Sequence, residues 1–187
     1  MKIKVHIFLL TLFLGLSASL SLAATPGITG PVIKIVDSNI IVNLSITDVS
    51  ELETAINSGI EKEITFTVEL LRVWKFWPDE FVVSKRIRKT IQYDNLRQQY
   101  KVSSYDGIKR IKKNFKNYNS MKNWIFNVKS VNLANIKELD LSDYYVRIVV
   151  ESKNIENLPV IGFLKHFIPK VEMSLAKESQ PFLTGDN

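Results

Sequence analysis

The sequence predicts an α+β domain that is mainly an antiparallel β-sheet of long hairpins, with two or three short helices packed against it. Segments in which apolar and polar residues alternate make up most of the chain, and residues typical of hairpin turns join most of them. Strands and helices do not alternate regularly, as they would in a parallel sheet. The sequence contains no internal repeat and no sign of a second domain.

The first predicted elements are a hairpin and a short helix. Residues 32–36 and 40–46 are expected to be the two strands, because apolar residues occupy alternate positions in the second of them. Ser50 and Glu53 have the spacing of a capping box at the start of a short apolar stripe. Gly59 is placed to end this helix.

A pair of long strands follows the helix. Residues 64–70 alternate between apolar and polar side chains, and we expect this strand to continue towards Trp77. Pro78 and Asp79 predict a turn, after which residues 81–102 return as the second strand. These two strands are expected to pair as a ribbon.

The next segment is ambiguous by its spacing alone. Residues 108–115 fit a strand or a helix, and the hairpin signal of Asp106 and Gly107 favours the strand. Ser120 is predicted to cap a helix. The apolar face of that helix comprises Met121, Trp124, Ile125 and Val128.

The last predicted elements are a strand, a helix and a strand. Residues 140–143 form a turn into residues 144–151, which alternate as a half-buried strand does. Pro159 suits the first turn of a helix that Pro169 ends. Residues 171–175 are predicted to close the fold as a strand.

The N-terminal segment is typical of a secretory signal peptide. Lys2 and Lys4 precede a short apolar run, and small residues lead to Ala23, so cleavage is expected before Ala24. The alternative is an uncleaved inner-membrane anchor, since residues 5–24 contain no Asp, Glu, Lys or Arg.

The expected organisation is a signal peptide at 1–23, a flexible leader at 24–31, one α+β domain at 32–179 and a polar tail at 180–187. The expected location is the periplasm or the exterior, without a transmembrane helix after cleavage.

Composition excludes several kinds of catalysis. The chain has no cysteine and two histidines, of which only His166 remains after cleavage. This excludes Cys–His catalysis, redox thiols and zinc sites made of cysteines or two histidines. No glycine-rich phosphate loop is present, and a Ser-His-Asp triad would depend on His166 without a nucleophile elbow. We therefore expect a protein that is not an enzyme and holds no cofactor or metal.

Paired carboxylates leave one enzymatic alternative open, a glycan hydrolase that needs only Asp and Glu. The candidate pairs are Glu51 with Glu53, Glu61 with Glu63, and Asp79 with Glu80. Helix capping, a solvated strand edge and turn chemistry account for these three pairs more simply. Residues 140–143 lack the glycine and the distal glutamate of a calcium loop and fit a turn better.

The main candidate for binding is a basic segment. Residues 85–122 contain twelve Lys and Arg against only Asp94 and Asp106, a local charge of +10 within a chain of +6. The candidate binding residues are Arg86, Arg88, Lys109, Arg110, Lys112 and Lys113. The alternative is a solvated face that keeps the protein soluble and protects an edge strand.

A second candidate is the aromatic run near the predicted turn. Trp77 is expected to be an exposed anchor, whereas Trp74 and Phe76 share the parity of buried positions in the preceding strand and are expected in the core. The alternative is an exposed patch that includes Phe81 and contacts a protein or a membrane surface.

Four stretches resemble the exported bacterial family known as domain of unknown function 4390. They are residues 52–60, the aromatic-basic run 72–77, residues 93–102 and the Leu158-Pro159 pair, in matching order over nearly the whole mature chain. Glu61-Lys62 departs from the Pro-Leu that is usual in the family after its Gly-Ile pair. The resemblance implies an envelope protein of Gram-negative bacteria without assigned activity or catalytic residues. It also implies genes that often lie beside a two-component sensor kinase.

We therefore expect a non-catalytic binding module of the cell envelope. Its partner is expected to be an anionic envelope component or a membrane-associated protein, such as the external domain of a sensor kinase. Export argues against nucleic acid. The alternatives are a carboxylate-dependent cell-wall glycan hydrolase and a purely structural envelope protein.

Overall fold

The computed structural model describes residues 25–47, 49–155 and 171–184. Its elements, in chain order, are β1 (Gly27–Val36), β2 (Asn39–Thr47), α1 (Ser50–Asn57), β3 (Lys62–Arg72), β4 (Glu80–Asp94), β5 (Gln99–Tyr105), β6 (Arg110–Phe115), α2 (Tyr118–Ile125), β7 (Asn127–Asn135), a 3₁₀ turn (Ile136–Glu138), β8 (Ser142–Asn154), β9 (Val171–Glu178) and β10 (Phe182–Thr184). The described fold is mainly antiparallel β-sheet with two short α-helices, which confirms the predicted class.

The described strands form two sheets in which every pairing is antiparallel. The smaller sheet has the order β1-β2-β7, and the larger runs β8-β3-β4-β5-β6, with β9 and β10 both on the outer edge of β8. Hairpins connect β3 to β4, β4 to β5 and β5 to β6, so these strands are neighbours in sequence and in space. β3 and β8, by contrast, pair across a long sequence separation.

The alternation of apolar residues explains the packing of the core. In β3, Ile64, Phe66 and Val68 are fully buried and form the inner face of the larger sheet, while the polar residues between them face outwards. The inner residues of β2, such as Ile40 and Val42, belong to the same hydrophobic cluster. The two sheets therefore share one core in the part of the chain that the structure describes.

The two helices contribute to this core, but their capping differs from the prediction. The residue before α1 is Val49, whose side chain makes no cap, and Ser50 is already helical. Glu53 instead accepts a hydrogen bond from Lys122 at 2.7 Å, which links α1 to α2. α2 is capped by Asn117, whose side chain accepts from the backbone N–H of Ser120 at 3.0 Å, so Ser120 is not the cap.

Several predicted boundaries also change. The predicted strand 81–102 is two strands, because a turn at residues 95–98 separates β4 from β5. Residues 108–115 contain a strand, as favoured. β1 begins at Gly27, since Ile28 packs into the core, and a register shift between Thr29 and Val32 accommodates Pro31.

The end of α2 and the C-terminal region also differ from the prediction. Val128 belongs to β7, which was not predicted, and β10 pairs with β8 within the expected polar tail. The predicted helix that starts at Pro159, with His166 in it, lies outside the described residues, as does the predicted signal peptide.

Candidate binding surface

Four of the predicted cations lie together on the outer face of the larger sheet. Strand parity places them there, because each lies opposite an outward-facing residue of a neighbouring strand. We call this set the cationic face. It comprises Arg86, Arg88, Arg110 and Lys112, all exposed.

One row of the cationic face is an arginine–tyrosine–arginine stack. Arg88 of β4 is opposite Tyr105 of β5, which is opposite Arg110 of β6. The Cζ atoms of the two arginines lie 5.4 Å and 5.5 Å from the centroid of the Tyr105 ring. Cation–π contacts of this kind orient guanidinium groups without neutralising their charge. The row therefore presents two positive charges from strands about 10 Å apart.

The other two cations lie on either side of this row. Lys112 of β6 is opposite Ser103, which is opposite Thr90 of β4, and the two hydroxyls lie 2.8 Å apart. Arg86 lies one outward position beyond Arg88 and pairs only with Thr67 of β3. The side chains of Arg86 and Lys112 make no hydrogen bond or ion pair with any described residue.

The remaining predicted residues do not join this face. Lys113 points to the opposite face, where its Nζ lies 5.7 Å from the ring centroid of Trp124. Lys109 lies in the β5–β6 turn, and Trp77 lies in the β3–β4 turn. Glu80 and Arg86 are six residues apart along β4, so roughly 20 Å separates the β3–β4 turn from the cationic face.

Cations elsewhere on the same sheet face are paired with acids. Arg147 binds Glu69 at 2.7 Å, and Lys153 binds Glu63 at 2.9 Å, both between β3 and β8. No member of the cationic face forms an ion pair with an acid among the described residues. The outer face is thus neutralised on β3 and β8 and left positive on β4 to β6.

The two acids of the basic segment are held in turns. Asp94 pairs with Lys101 at 2.8 Å and accepts backbone hydrogen bonds after β4, and both contacts lower the pKa of its carboxyl. Asp106 accepts from the backbone N–H of Lys109 at 2.7 Å and of Ile108 at 2.9 Å, which lowers the pKa of its carboxyl. These carboxylates stabilise turns and leave the cationic face unneutralised.

The opposite face of β4 holds a buried cation that was not predicted. Lys89 is 6% exposed, and its Nζ donates to the carbonyl oxygens of Trp124 at 2.8 Å and Asn127 at 2.6 Å. Burial lowers the pKa of this ammonium from 10.5 to about 8. The parity of Ile87 and Ile91, which flank Lys89 at inward positions, was the signal that could have located it.

Lys89 lies at the wall of an open cleft between the inner face of β4 to β6 and the strand β7. The cleft has a volume of about 650 Å³ and contains three lysines, Lys85, Lys89 and Lys129, with Asp106 as its acidic residue. Apolar side chains such as Ile87 and Ile111 complete the lining. The basic segment therefore divides between two faces rather than sharing one.

The β3–β4 turn and the start of β4 carry a set of exposed aromatic side chains, which we call the aromatic tip. It comprises Trp74 at 43% exposure, Phe76 at 92%, Trp77 at 75% and Phe81 at 57%. The expectation that Trp74 and Phe76 are in the core is therefore wrong. β3 ends at Arg72, so the alternation that buries Phe66 does not continue into the turn.

The aromatic tip is held by polar contacts at its base. Asp79 accepts from the backbone N–H of Trp74 at 3.2 Å and from the hydroxyl of Tyr145 at 3.1 Å. The indole N–H of Trp74 donates to Glu80 at 3.2 Å, and the Cζ of Arg72 lies 4.7 Å from the Trp74 ring centroid. Asp79 and Glu80, one of the predicted carboxylate pairs, thus position the tip.

β4 has an open edge that includes Phe81 of the aromatic tip and Arg86 of the cationic face. β3 pairs with β4 from Glu80 onwards, but β5 pairs with it only from Arg88 to Asp94. Residues 80–87 therefore lack a neighbour on that side among the described strands. Such an edge presents backbone N–H and C=O groups to solvent.

The described residues contain no cluster of three or more His, Asp or Glu side chains that could hold a metal ion. Among the described helices, none has the length and apolar character needed to cross a membrane.

Comparisons with known proteins identify the family. The model of the family described as "Domain of unknown function (DUF4390)" matches residues 28–162, which cover β1 to β8 and the start of the segment that follows. No curated protein and no solved structure matches the chain. Since the match covers well over half of the sequence, the chain belongs to the DUF4390 family.

Proposed function

We propose that this protein is a non-catalytic binding module of the bacterial cell envelope, and that its cationic face contacts an anionic partner. The observation that carries the proposal is a difference in ion pairing between two parts of the outer face of the larger sheet. Cations on β8 are paired with acids of β3, whereas those on β4 and β6 have no acidic partner among the described residues. Four unneutralised cations on rigid strands form a surface to which an anionic group is attracted.

The envelope location belongs to the same proposal. It rests on the signal-like residues 1–23 and on the exported character that the family resemblance implies. Within the envelope, acidic protein surfaces and anionic lipid or polysaccharide groups are the available partners, including the external domain of a membrane-bound sensor.

The experiment compares two double variants that change the net charge equally. Arg86→Glu with Lys112→Glu reverses two members of the cationic face, and neither side chain makes a described hydrogen bond or ion pair. Lys34→Glu with Lys137→Glu reverses two exposed lysines elsewhere. The measurement is the fraction of mature protein retained on washed envelopes at low salt, where electrostatic binding is strongest.

We expect the cationic-face variant to lose most of its envelope retention, about tenfold, while the control variant keeps it. Circular dichroism checks that both variants are folded. Equal retention of the two double variants would contradict the proposal and favour a face that is only solvated.

A further inference from the structure

We infer that the open edge of β4 binds an extended, acidic segment of a partner protein by strand addition. This inference rests on the proposed function, because it names the kind of anionic partner that the cationic face recruits.

The open edge has the dimensions of a strand-binding site. Residues 80–87 are eight positions long, which at about 3.4 Å per residue gives roughly 27 Å. That length accommodates a typical strand. Because β3 already pairs with the other side of β4, alternate residues from Val83 to Ile87 direct their backbone N–H and C=O groups to the open side, and a bulge at Val82 interrupts this alternation before Phe81. An added strand would continue the line of β5.

Charge at one end of the edge selects an acidic occupant. Lys85 and Arg86 are exposed within the open edge, and Arg88 follows directly beside the end of β5. A carboxylate on the added strand next to Arg86 gains an ion pair there. Lipid head groups would supply charge but no aligned backbone donors and acceptors, so an extended polypeptide matches both features.

Apolar surface at the other end complements apolar side chains. Phe81 lies within the open edge and is 57% exposed, and Trp77 in the preceding turn is 75% exposed. Large exposed aromatics next to an unpaired strand favour burial by a partner. The expected segment therefore has apolar residues near Phe81 and acidic residues near Arg86.

Edge protection and self-association fit fewer of these features. Lysine and a bulge commonly protect an edge strand from pairing, and Lys85 and the register shift near Phe81 fit that role. Protection does not explain why the aromatic tip stays exposed beside the same edge. A second copy of this chain fits less well as the occupant, because antiparallel pairing over the full edge places Arg86 of one copy opposite Phe81 of the other and gives Arg86 no carboxylate partner.

The test is amide hydrogen exchange of the full mature chain, read residue by residue by NMR. The probe is a synthetic eight-residue peptide that alternates glutamate and valine, with a lysine–valine peptide of the same length as control. We expect the acidic peptide to slow exchange about tenfold or more at alternate amides between residues 83 and 87, and the basic peptide to leave these amides unchanged.

Two variants test the expected ion pair. Arg86→Glu should weaken binding of the acidic peptide by about fivefold or more, whereas Lys34→Glu, which changes the net charge equally, should not.

The inference is overturned if the acidic peptide does not bind or protects no alternate amides. It is also overturned if these amides are already protected in the chain alone. Resonance shifts confined to Arg88, Arg110 and Lys112 would leave the proposed function in place and overturn strand addition. Equal envelope retention of the two double variants would instead overturn the proposed function itself.

Discussion

At the scale of single residues, Lys89 is one of two buried lysines among the described residues. It lies at an inward position of β4, between Ile87 and Ile91, and it carries a charge into the core. Its ammonium donates to the carbonyl of Trp124 in the last turn of α2, where a positive charge is favourable, and to the carbonyl of Asn127 at the start of β7. Lys89 therefore ties α2 and the start of β7 to the larger sheet.

The lowered pKa of Lys89 gives a stability prediction with a definite sign. The folded-state pKa of about 8 lies below the ordinary value of 10.5, so the unfolded chain binds more protons between these two values. The unfolding free energy therefore rises with pH in this window. Between about pH 7.5 and about pH 9.5, wild-type protein should gain about 2 kcal/mol more than Lys89→Met, as measured by urea unfolding.

The control for this prediction is Lys34→Met, which alters an exposed lysine and should keep the wild-type pH dependence. Burial raises the pKa of Tyr100, Tyr118 and Tyr145 in the folded protein, but all three tyrosines are present in wild type and in both variants, so their contribution cancels in the comparison. An identical pH dependence in wild type and Lys89→Met would show that Lys89 keeps an ordinary pKa.

At the scale of elements, the N-terminus of α2 depends on one side chain. Asn117 accepts from the backbone N–H of Ser120 at 3.0 Å and satisfies a donor that the helix leaves unpaired. Asn117→Ala should lower the unfolding free energy by about 1 kcal/mol, and Asn117→Asp should retain it. Ser120→Ala should change it by only a few tenths. Urea unfolding checks all three, and a larger loss in Ser120→Ala than in Asn117→Ala would contradict this cap.

The strands that could be predicted from the sequence are those with unbroken alternation. β2, β3 and β8 keep a strict period of two, so their inner faces were identified correctly. β7 was missed because its buried residues Val128, Val131 and Leu133 are spaced three and two apart, which resembles helical spacing. A register shift against β2 and a positive φ of 57° at Ser130 cause this irregularity.

The candidate site was predictable only in part, for a related reason. Counting charges located the basic segment, but strand parity places Arg88 and Lys113 on opposite faces. Neither the number of charges nor the strand parity shows where the pairing of two strands stops. The open edge of β4 exists because β5 ends at Tyr105. Exposure of Phe76 likewise depends on where β3 ends.

At the scale of the whole molecule, charge is distributed unevenly over one sheet. The β3–β8 side of the outer face is held by ion pairs such as Arg147 with Glu69, while the β4–β6 side carries cations without acidic partners among the described residues. Like charges on strands about 10 Å apart repel each other over a distance that salt screens. The folded state therefore contains a repulsive region whose strength depends on ionic strength, and a bound anionic partner would relieve it.

The dependence on salt follows from this repulsion and can be measured without a partner. When sodium chloride is raised from about 0.02 M to about 0.5 M, screening removes repulsion on the cationic face and also weakens the ion pairs elsewhere. Comparing the two double variants cancels the second effect, because their ion pairs are the same. The added salt should raise the Tm of the control variant, Lys34→Glu with Lys137→Glu, by as much as that of wild type. It should raise the Tm of Arg86→Glu with Lys112→Glu by about 2 °C less. Thermal scans at both salt concentrations provide the measurement. Equal gains in the two double variants would mean that the cationic face contributes no repulsion to the folded state.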